Sequence, residues 1–144
     1  MEDWNYMNLN IKRIGFWKEE GWSHRSIDDD LSCIGIEDKN IVDKDILEYL
    51  KIGIPVLAIR TMRYSKSTGE MFGPVTAYTD GSWAWTNILI YYYSIGWLRL
   101  PDDFKEHARN ANRVFLKLGL MPEAKKNEIA AIISNPDYLI ISLK

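Results

Sequence analysis

The sequence predicts an α+β fold: a small, mainly antiparallel sheet packed against several helices in a single domain that spans residues 1–144. Two segments rich in β-forming residues, joined by a polar connection that contains glycine, lie between positions 55 and 79. Segments with helical start and stop signals lie on both sides of them. A chain of this length, with 47% hydrophobic residues, can bury one core.

Residues 1 to about 40 are predicted to form a loop-rich arm. Their aromatic and aliphatic residues are scattered among polar residues and glycines, without a sustained period of two or 3.6. An aromatic ring buries a large area and has few torsions to order, so we expect these rings to anchor the arm on the core. The arm also contains three consecutive acidic residues, Asp28, Asp29 and Asp30.

The first helix is predicted from about Val42 to Ile52. Asp43 and Asp45 suit the positive N-terminal end of a helix, and apolar residues recur behind them at helical spacing. Gly53 then supplies a residue at which the helix can end.

Two antiparallel strands are predicted next, from about Pro55 to Ser65 and from Gly73 to Thr79. The residues between them, SKSTGE and its neighbours, have the glycine and polar composition of a hairpin connection. An apolar tail from Tyr138 to Leu143 is a candidate for one more strand.

A tight turn is predicted at Asp80 and Gly81. Glycine adopts positive φ without steric cost, and an aspartate side chain can accept hydrogen bonds from nearby backbone amides. In the extended segment that follows, Trp83 and Trp85 fall on one side, because side chains alternate along a strand.

The second helix is predicted to begin at Thr86 or Asn87 and to end near Gly96. Successive helical residues point about 100° apart, so the three consecutive tyrosines at 91–93 cannot all be buried and at least one ring should lie at the surface. The residues expected to face inward are Ile88, Leu89, Tyr92 and Ile95.

A third helix is predicted from Pro101 to about Asn112, with Asp102 and Asp103 at its positive end. A fourth has Pro122 in its first turn and ends before the Asn-Pro break at 135–136. The residues of the third helix expected to face inward are Phe104 and Ala108.

Composition restricts the class of partner. The net charge is −2, and a basic run of the kind that binds nucleic acid is absent from the sequence. The longest apolar stretch, residues 83–98, is shorter than a membrane span and interrupted by polar residues. Cys33 is the only cysteine, and no basic and apolar leader pattern opens the sequence, so a cytoplasmic protein without disulfides, metal or other cofactors is expected.

The motifs resemble those of a widespread family of small bacterial cytosolic proteins. The shared features are an aromatic N-terminal segment, a Y-L-x-x-G helix end, T-D-G-x-W-x-W, a helix that bears tyrosine, and R-L-P-x-x-F. Within them the structural-motif residues in this sequence are Asp80, Gly81, Trp83, Trp85, Arg99, Pro101 and Phe104.

The match covers roughly residues 14 to 110 and implies a single-domain companion of bacterial toxin or effector loci, that is, an immunity-type inhibitor. Many relatives have proline where this chain has Thr86, and some have a cysteine pair between the two strands, where residues 60–69 here contain none. The metal or redox role of such cysteines therefore does not transfer. The resemblance implies no catalytic residues.

Asp80 and His107 are the candidates for catalysis. A carboxylate beside aromatic rings could serve as a general acid or base, although an aspartate before glycine more often binds its own turn. His107 could exchange protons with Asp103, one helical turn earlier, but an exposed i,i+4 contact is the more frequent outcome. An enzyme would require Asp80 and His107 to converge from different elements. A structure with Asp80 on its own turn amides and His107 in solvent would exclude it.

Other candidates have a simpler interpretation. His24 lies 83 positions from His107 and forms no metal motif with it. Cys33 follows acidic residues, which disfavour a thiolate, so it is assigned to packing. Asp28 to Asp30, with Glu37 and Asp38, lack the spacing of a calcium loop and are interpreted as an acidic surface.

Two functions from different classes remain, and the sequence does not distinguish the first of them from a regulatory scaffold that binds a partner other than a toxin. The first is a protein-binding module that neutralises a cognate toxin or effector domain, and the second is a small hydrolase or transferase that uses Asp80 and His107 in an aromatic cleft. Carboxylates next to exposed aromatic rings are typical of protein-binding hot spots, which favours the first. The residues predicted to contact the partner are Trp22, Asp28, Asp29, Asp30 and Tyr91.

Overall fold

The computed structural model describes residues 11–15, 39–64, 69–113, 119 and 121–133. Within these ranges lie four strands, four α-helices and a short 3₁₀ turn at Lys39–Ile41. In chain order the elements are β1 (Lys12–Arg13), α1 (Lys44–Lys51), β2 (Ile54–Tyr64), β3 (Met71–Thr79), β4 (Trp83–Thr86), α2 (Asn87–Ser94), α3 (Asp102–Asn110) and α4 (Glu123–Ile133).

The four strands form one sheet in the order β1-β4-β3-β2. β2 and β3 form the predicted antiparallel pair, in a register that runs from Ile54 opposite Thr79 to Tyr64 opposite Met71. β4 returns antiparallel to β3, whereas β1 pairs with β4 in parallel. The predicted class, α+β with a mainly antiparallel sheet and helices packed on it in one domain, is confirmed.

The sheet contains two strands that the sequence-based prediction did not include. The extended segment after Asp80, in which Trp83 and Trp85 were expected on one side, is a strand inside the sheet, and all four of its residues are buried. Residues 11–15 of the predicted arm supply β1, where Ile11 and Ile14 are buried in the core. The rest of the arm and the predicted tail strand lie outside the described residues.

Local capping signals determine where the helices begin. Asp43 precedes α1, and its Oδ1 accepts hydrogen bonds from the amides of Asp45 at 2.9 Å and Ile46 at 3.4 Å. Thr86 precedes α2 in the same way and accepts from the Leu89 amide at 3.2 Å. α3 begins directly after Pro101, whose backbone is extended, so the predicted start is wrong by one residue.

Aromatic rings occupy the centre of the core. Trp85 is fully buried and its Nε1 donates to the Leu50 carbonyl at 3.0 Å. Gly53 lies against the same indole: a Cβ atom there would approach Trp85 to 2.6 Å, so only glycine fits at the end of α1. Of the three tyrosines in α2, Tyr92 and Tyr93 are buried and Tyr91 is partly exposed, as expected.

A buried arginine joins the first and last described elements. Arg13 in β1 is fully buried, and its Nη1 donates to the Ile133 carbonyl at the end of α4 at 2.6 Å. A charge-assisted hydrogen bond of this kind is among the stronger ones available to a side chain. Among the helices in the described ranges, none has the length and apolar content to cross a membrane.

Candidate functional site

The carboxylate of Asp80 organises the turn between β3 and β4. Its Oδ1 accepts hydrogen bonds from the amides of Ser82 at 2.9 Å and Trp83 at 2.8 Å, while Gly81 adopts a φ of +99°. The Thr79 hydroxyl donates to the Trp83 carbonyl at 2.7 Å and accepts from the Gly81 amide at 2.9 Å. The predicted turn and the predicted capping role of Asp80 are confirmed.

The other carboxylate oxygen of Asp80 connects two helices. The Tyr49 hydroxyl in α1 donates to Oδ2 at 2.5 Å, and Nε2 of His107 in α3 lies 2.7 Å from the same oxygen. The Asp80 side chain is 2% exposed and the His107 side chain is 33% exposed. One buried carboxylate therefore joins the β3–β4 turn to both α1 and α3.

His107 makes a different contact from the one predicted. The expected partner was Asp103, one turn earlier on an exposed helix face. Instead Nε2 faces Asp80, and Oδ1 of Asp103 accepts from the Phe104 amide at 2.9 Å. The reason is tertiary: Phe104, fully buried on the same helix, holds α3 against the Asp80 turn, so that His107 faces the interior.

Aromatic rings surround this polar contact. The His107 ring lies edge-on to Tyr49 at 6.4 Å between centroids, and it is 6.5 Å from both Trp83 and Phe104. Trp83 and Phe104 in turn pack edge to face at 5.1 Å. The rings exclude water from one side of the Asp80 and His107 pair, which strengthens its electrostatic attraction.

Two cations lie over the outer faces of these rings. Lys12 Nζ is 5.0 Å from the centre of the Trp83 ring, and the Arg113 guanidinium is 5.2 Å from the centre of the Tyr49 ring. Arg113 also binds both carboxylate oxygens of Asp45, at 3.2 and 3.1 Å. Two cations therefore lie beside the site. Asp80 is the only buried carboxylate among the described residues.

Two side chains at the site, His107 and Tyr49, have raised pKa values. The hydrogen bond that His107 makes to the Asp80 carboxylate raises the pKa of His107; burial and the nearby charge of Lys12 oppose this rise, and the attraction of the Asp80 charge adds to it. Burial, followed by the charge of Asp80 and the hydrogen bond to it, raises the pKa of the Tyr49 phenol. Tyr49 is thus a neutral donor, and His107 favours its protonated form.

This arrangement is capable of proton transfer. A buried aspartate that binds one imidazole nitrogen orients the ring and stabilises its protonated form, which is the part that the aspartate plays in catalytic triads. The partly exposed ring of His107 could exchange a proton with a bound molecule. The convergence of Asp80 and His107 that an enzyme would require is present in the structure.

Tyr91 lines a separate shallow groove of about 320 Å³, bordered by Lys51 and Asn87. Met71, at the start of β3, lies on the groove with 56% of its surface exposed. The remaining lining residues are Tyr78 and Ile90. The groove and the Asp80 cluster share no residues.

The remaining predicted site residues divide into two sets. Gly81, Trp83, Trp85 and Phe104 are buried and belong to the core, while Arg99 is exposed and lines a polar cleft. Trp22, His24, Asp28, Asp29, Asp30 and Cys33 lie outside the described residues. Among the residues that are described, no three His, Cys, Asp or Glu side chains are grouped closely enough to hold a metal ion.

Sequence reasoning missed Tyr49 as a member of the site. In the sequence it is one of the apolar residues at helical spacing in the first helix and the tyrosine of the Y-L-x-x-G motif, and neither feature indicates a polar partner. A buried tyrosine usually satisfies its hydroxyl with a polar partner, and that expectation was the available signal. It does not specify the partner, because Asp80 is 31 positions away.

Comparison with known proteins supplies no family assignment. Neither the protein-family models, the curated proteins nor the solved structures contain a match to this chain.

Proposed function

We propose that this protein is a protein-binding module, an immunity-type inhibitor that neutralises a cognate toxin or effector domain by direct contact. The observation that carries the proposal is the groove at Tyr91, where exposed Met71 and partly buried aromatic and aliphatic residues meet. Methionine, tyrosine and other apolar residues with a polar border are the composition of the centre of a protein interface.

The groove has the form of an anchoring pocket. Its apolar floor comes from β3 and α2, and Lys51 and Asn87 at its border can hydrogen-bond a partner. Asn87 is held in place: its Oδ1 accepts from the Thr76 amide at 2.9 Å and its Nδ2 donates to the Pro74 carbonyl at 3.0 Å. A rigid border of this kind reduces the entropy lost on binding.

The acidic residues Asp28, Asp29 and Asp30 and the ring of Trp22, which lie outside the described residues, are proposed as further contacts to the partner. Negative side chains accelerate the approach of a basic partner and contribute more to the association rate than to the final affinity. We therefore assign anchoring to the groove, with Tyr91 at its wall, and electrostatic steering to the three aspartates.

The test uses the purified protein and the toxin or effector domain encoded beside its gene. Isothermal titration gives the affinity, and the activity of the toxin domain with and without the protein gives the inhibition. Met71→Lys places a charge in the groove, and Ala131→Lys, at an exposed position of α4, is the matched control. Asp28, Asp29 and Asp30 are reversed together to lysine in a third variant.

We expect a stoichiometric complex that abolishes the toxin activity, with affinity reduced at least tenfold by Met71→Lys and unchanged by Ala131→Lys. The triple reversal should slow association at low salt. A complex that Met71→Lys does not weaken would remove the groove from the proposal. Failure to bind or inhibit any neighbouring gene product would reject the inhibitor function.

A second candidate is a small hydrolase or transferase in which Asp80 orients His107 as a general acid or base. The observation that favours it is the 2.7 Å contact between His107 Nε2 and Asp80 Oδ2, with part of the imidazole open to solvent. Positioned acid–base groups of this kind typically contribute about 10²–10⁴-fold to a rate.

The second candidate is tested by turnover of activated carboxylic and phosphoric esters. His107→Gln removes the titratable ring, and His24→Gln is the matched control because it removes the only other histidine. The enzyme hypothesis predicts turnover that falls at least 100-fold in His107→Gln and persists in His24→Gln. Equal rates in the two variants, or no turnover by the wild type, would reject it.

A further inference from the structure

A polar cleft of about 530 Å³ separates the start of α1 from α3. Three cationic side chains line it: Arg99 from the segment before α3, and Lys105 and Arg109 from α3 itself. Lys105 and Arg109 are four residues apart and therefore share one face of the helix. The opposite wall consists of residues 40–43 together with Tyr93 and Leu100.

The opposite wall is fixed by hydrogen bonds of its own. The Tyr93 hydroxyl accepts from the Asp43 amide at 2.8 Å and donates to the Ile41 carbonyl at 3.2 Å. Oδ1 of Asp43 is occupied by the first amides of α1. The wall thus presents a rigid surface, and the groups able to change partner are the cations of α3.

The ion pairs of the cations on α3 are exposed. Arg109 Nη2 lies 3.2 Å from Oδ2 of Asp43, with the side chains 53% and 37% exposed. Lys105 Nζ lies 3.2 Å from Oδ1 of Asp102, whose side chain is completely exposed. Pairs between exposed side chains are weak, so both cations can turn toward a ligand at little cost.

The described residues that line the cleft are mainly cationic. Three of them carry a positive charge and one, Asp43, carries a carboxylate, whereas the net charge of the protein is −2. Its volume lies within the usual range of small-molecule sites, about 300–1,000 Å³. Two guanidinium groups and one ammonium group suit a dianion that accepts several hydrogen bonds at once.

We propose that the cleft between α1 and α3 binds a small molecule through a phosphate monoester, which Arg99, Lys105 and Arg109 contact, while the rest of the molecule lies against residues 40–43. Arg109 exchanges its bond with Asp43 for one with the phosphate, and no covalent step is involved. The site is distinct from the groove at Tyr91 and from the Asp80 cluster, so it is independent of the inhibitor function.

The experiment is a titration of the full chain with each probe, monitored through the amide chemical shifts in two-dimensional NMR spectra. The probes are inorganic phosphate, glucose 6-phosphate, glucose as the uncharged control, and a short phosphoserine peptide. Arg99→Gln and Arg109→Gln each remove one positive charge from the cleft. Lys126→Gln removes the same charge from α4 and is the matched control, and Arg109→Lys tests rescue by a retained charge.

We expect saturable shifts at the amides of Tyr93, Arg99 and Lys105 with glucose 6-phosphate and none with glucose. Arg99→Gln and Arg109→Gln should each raise the dissociation constant at least fivefold, and Lys126→Gln should leave it unchanged. Arg109→Lys should raise it less than Arg109→Gln does, because the positive charge is retained. Thermal midpoints confirm that the variants fold.

Three results would overturn the proposal. Shifts that do not saturate, or that spread over every basic surface, would indicate nonspecific screening of charge. Equal weakening by Lys126→Gln would remove the cleft as the site. Binding of the phosphoserine peptide alone would assign the cleft to a protein ligand and reject a small-molecule site.

Discussion

Nε2 of His107 lies 2.7 Å from Oδ2 of Asp80, although 27 positions separate the two residues. The contact brings α3 onto the turn between β3 and β4, and the hydroxyl of Tyr49 in α1 binds the same oxygen. Asp80 accepts hydrogen bonds at both oxygens and is nearly inaccessible to water. Its carboxylate therefore connects three parts of the fold, namely α1, α3 and the turn between β3 and β4.

Stability should depend on the protonation of His107. Its hydrogen bond to the Asp80 carboxylate raises its folded-state pKa above the value of about 6.5 in an unfolded chain. Its contribution is therefore fully present below about pH 6.5 and is lost as the pH rises through the folded-state pKa.

This dependence is measured as the difference in free energy of unfolding between wild type and His107→Gln, by urea titration from pH 5.5 to 9. We expect the difference to be largest at the acidic end and to decline with rising pH. A difference that stays constant over the range would show that the protonated ring contributes nothing to the fold.

Asp80→Asn should destabilise the protein by about 3 kcal/mol, because it removes the buried negative charge to which Tyr49 and His107 hydrogen-bond. The amide retains the shape of the side chain, so the loss reports charge and hydrogen bonding rather than a cavity. The control is Asp102→Asn, at a completely exposed carboxylate, for which the change should be within about 0.5 kcal/mol. Similar effects of the two substitutions on thermal unfolding would contradict the central role of Asp80.

Tyr49→Phe deletes one hydroxyl group and should cost about 1.5–3 kcal/mol, since the lost bond is to a charged, buried acceptor. Because Tyr49 and His107 share Oδ2, the double variant Tyr49→Phe/His107→Gln should depart from additivity by at least about 0.5 kcal/mol. Denaturant titrations of the four proteins in the cycle give this coupling. The control cycle pairs Tyr49→Phe with Lys126→Gln, and coupling of equal size there would contradict the shared acceptor.

Thr86→Val should cost about 2 kcal/mol. The Thr86 hydroxyl accepts from the Leu89 amide at the start of α2 and donates to the Gly15 carbonyl at 2.6 Å, so valine removes a helix cap and a link to the segment that contains β1. Thr76→Val is the matched control, because the one contact of the Thr76 hydroxyl among the described residues is an exposed one of 3.4 Å with the Pro74 carbonyl. Calorimetry of both variants would contradict the expectation if their midpoints fell equally.

Much of the fold could be predicted because its signals are local. Asp43, Thr86 and Pro101 each mark a helix start within a few residues of the helix they introduce. The pair of β2 and β3 is joined by a short polar connection of recognisable composition. Helix caps and hairpin connections are formed by residues that are close together in the sequence, so they can be recognised without knowledge of the tertiary structure.

The rest depends on contacts between distant residues. β1 consists of two residues, which is too short for any alternation to show, and it becomes a strand only by pairing with β4. Asp80 and His107 were both recognised as candidates, yet their contact follows from the packing of Phe104 in the core. Arg99 was recognised only as part of a sequence motif, and the cleft that it forms with Lys105 and Arg109 was not predicted, because nothing in the sequence places the start of α1 opposite α3.

The parallel pairing of β1 with β4 bears on how the chain is assembled during translation. The β1 residues are synthesised early, but their partners at Trp83 and Ala84 follow some 70 positions later. At ribosomal speeds of about 5–20 residues per second, β1 waits for several seconds with its apolar neighbours Ile11 and Ile14 unburied. The sheet can be completed only after the β2–β3 hairpin and β4 have left the ribosome. A nascent chain halted before β4 therefore exposes the apolar residues beside β1, to which a chaperone can bind.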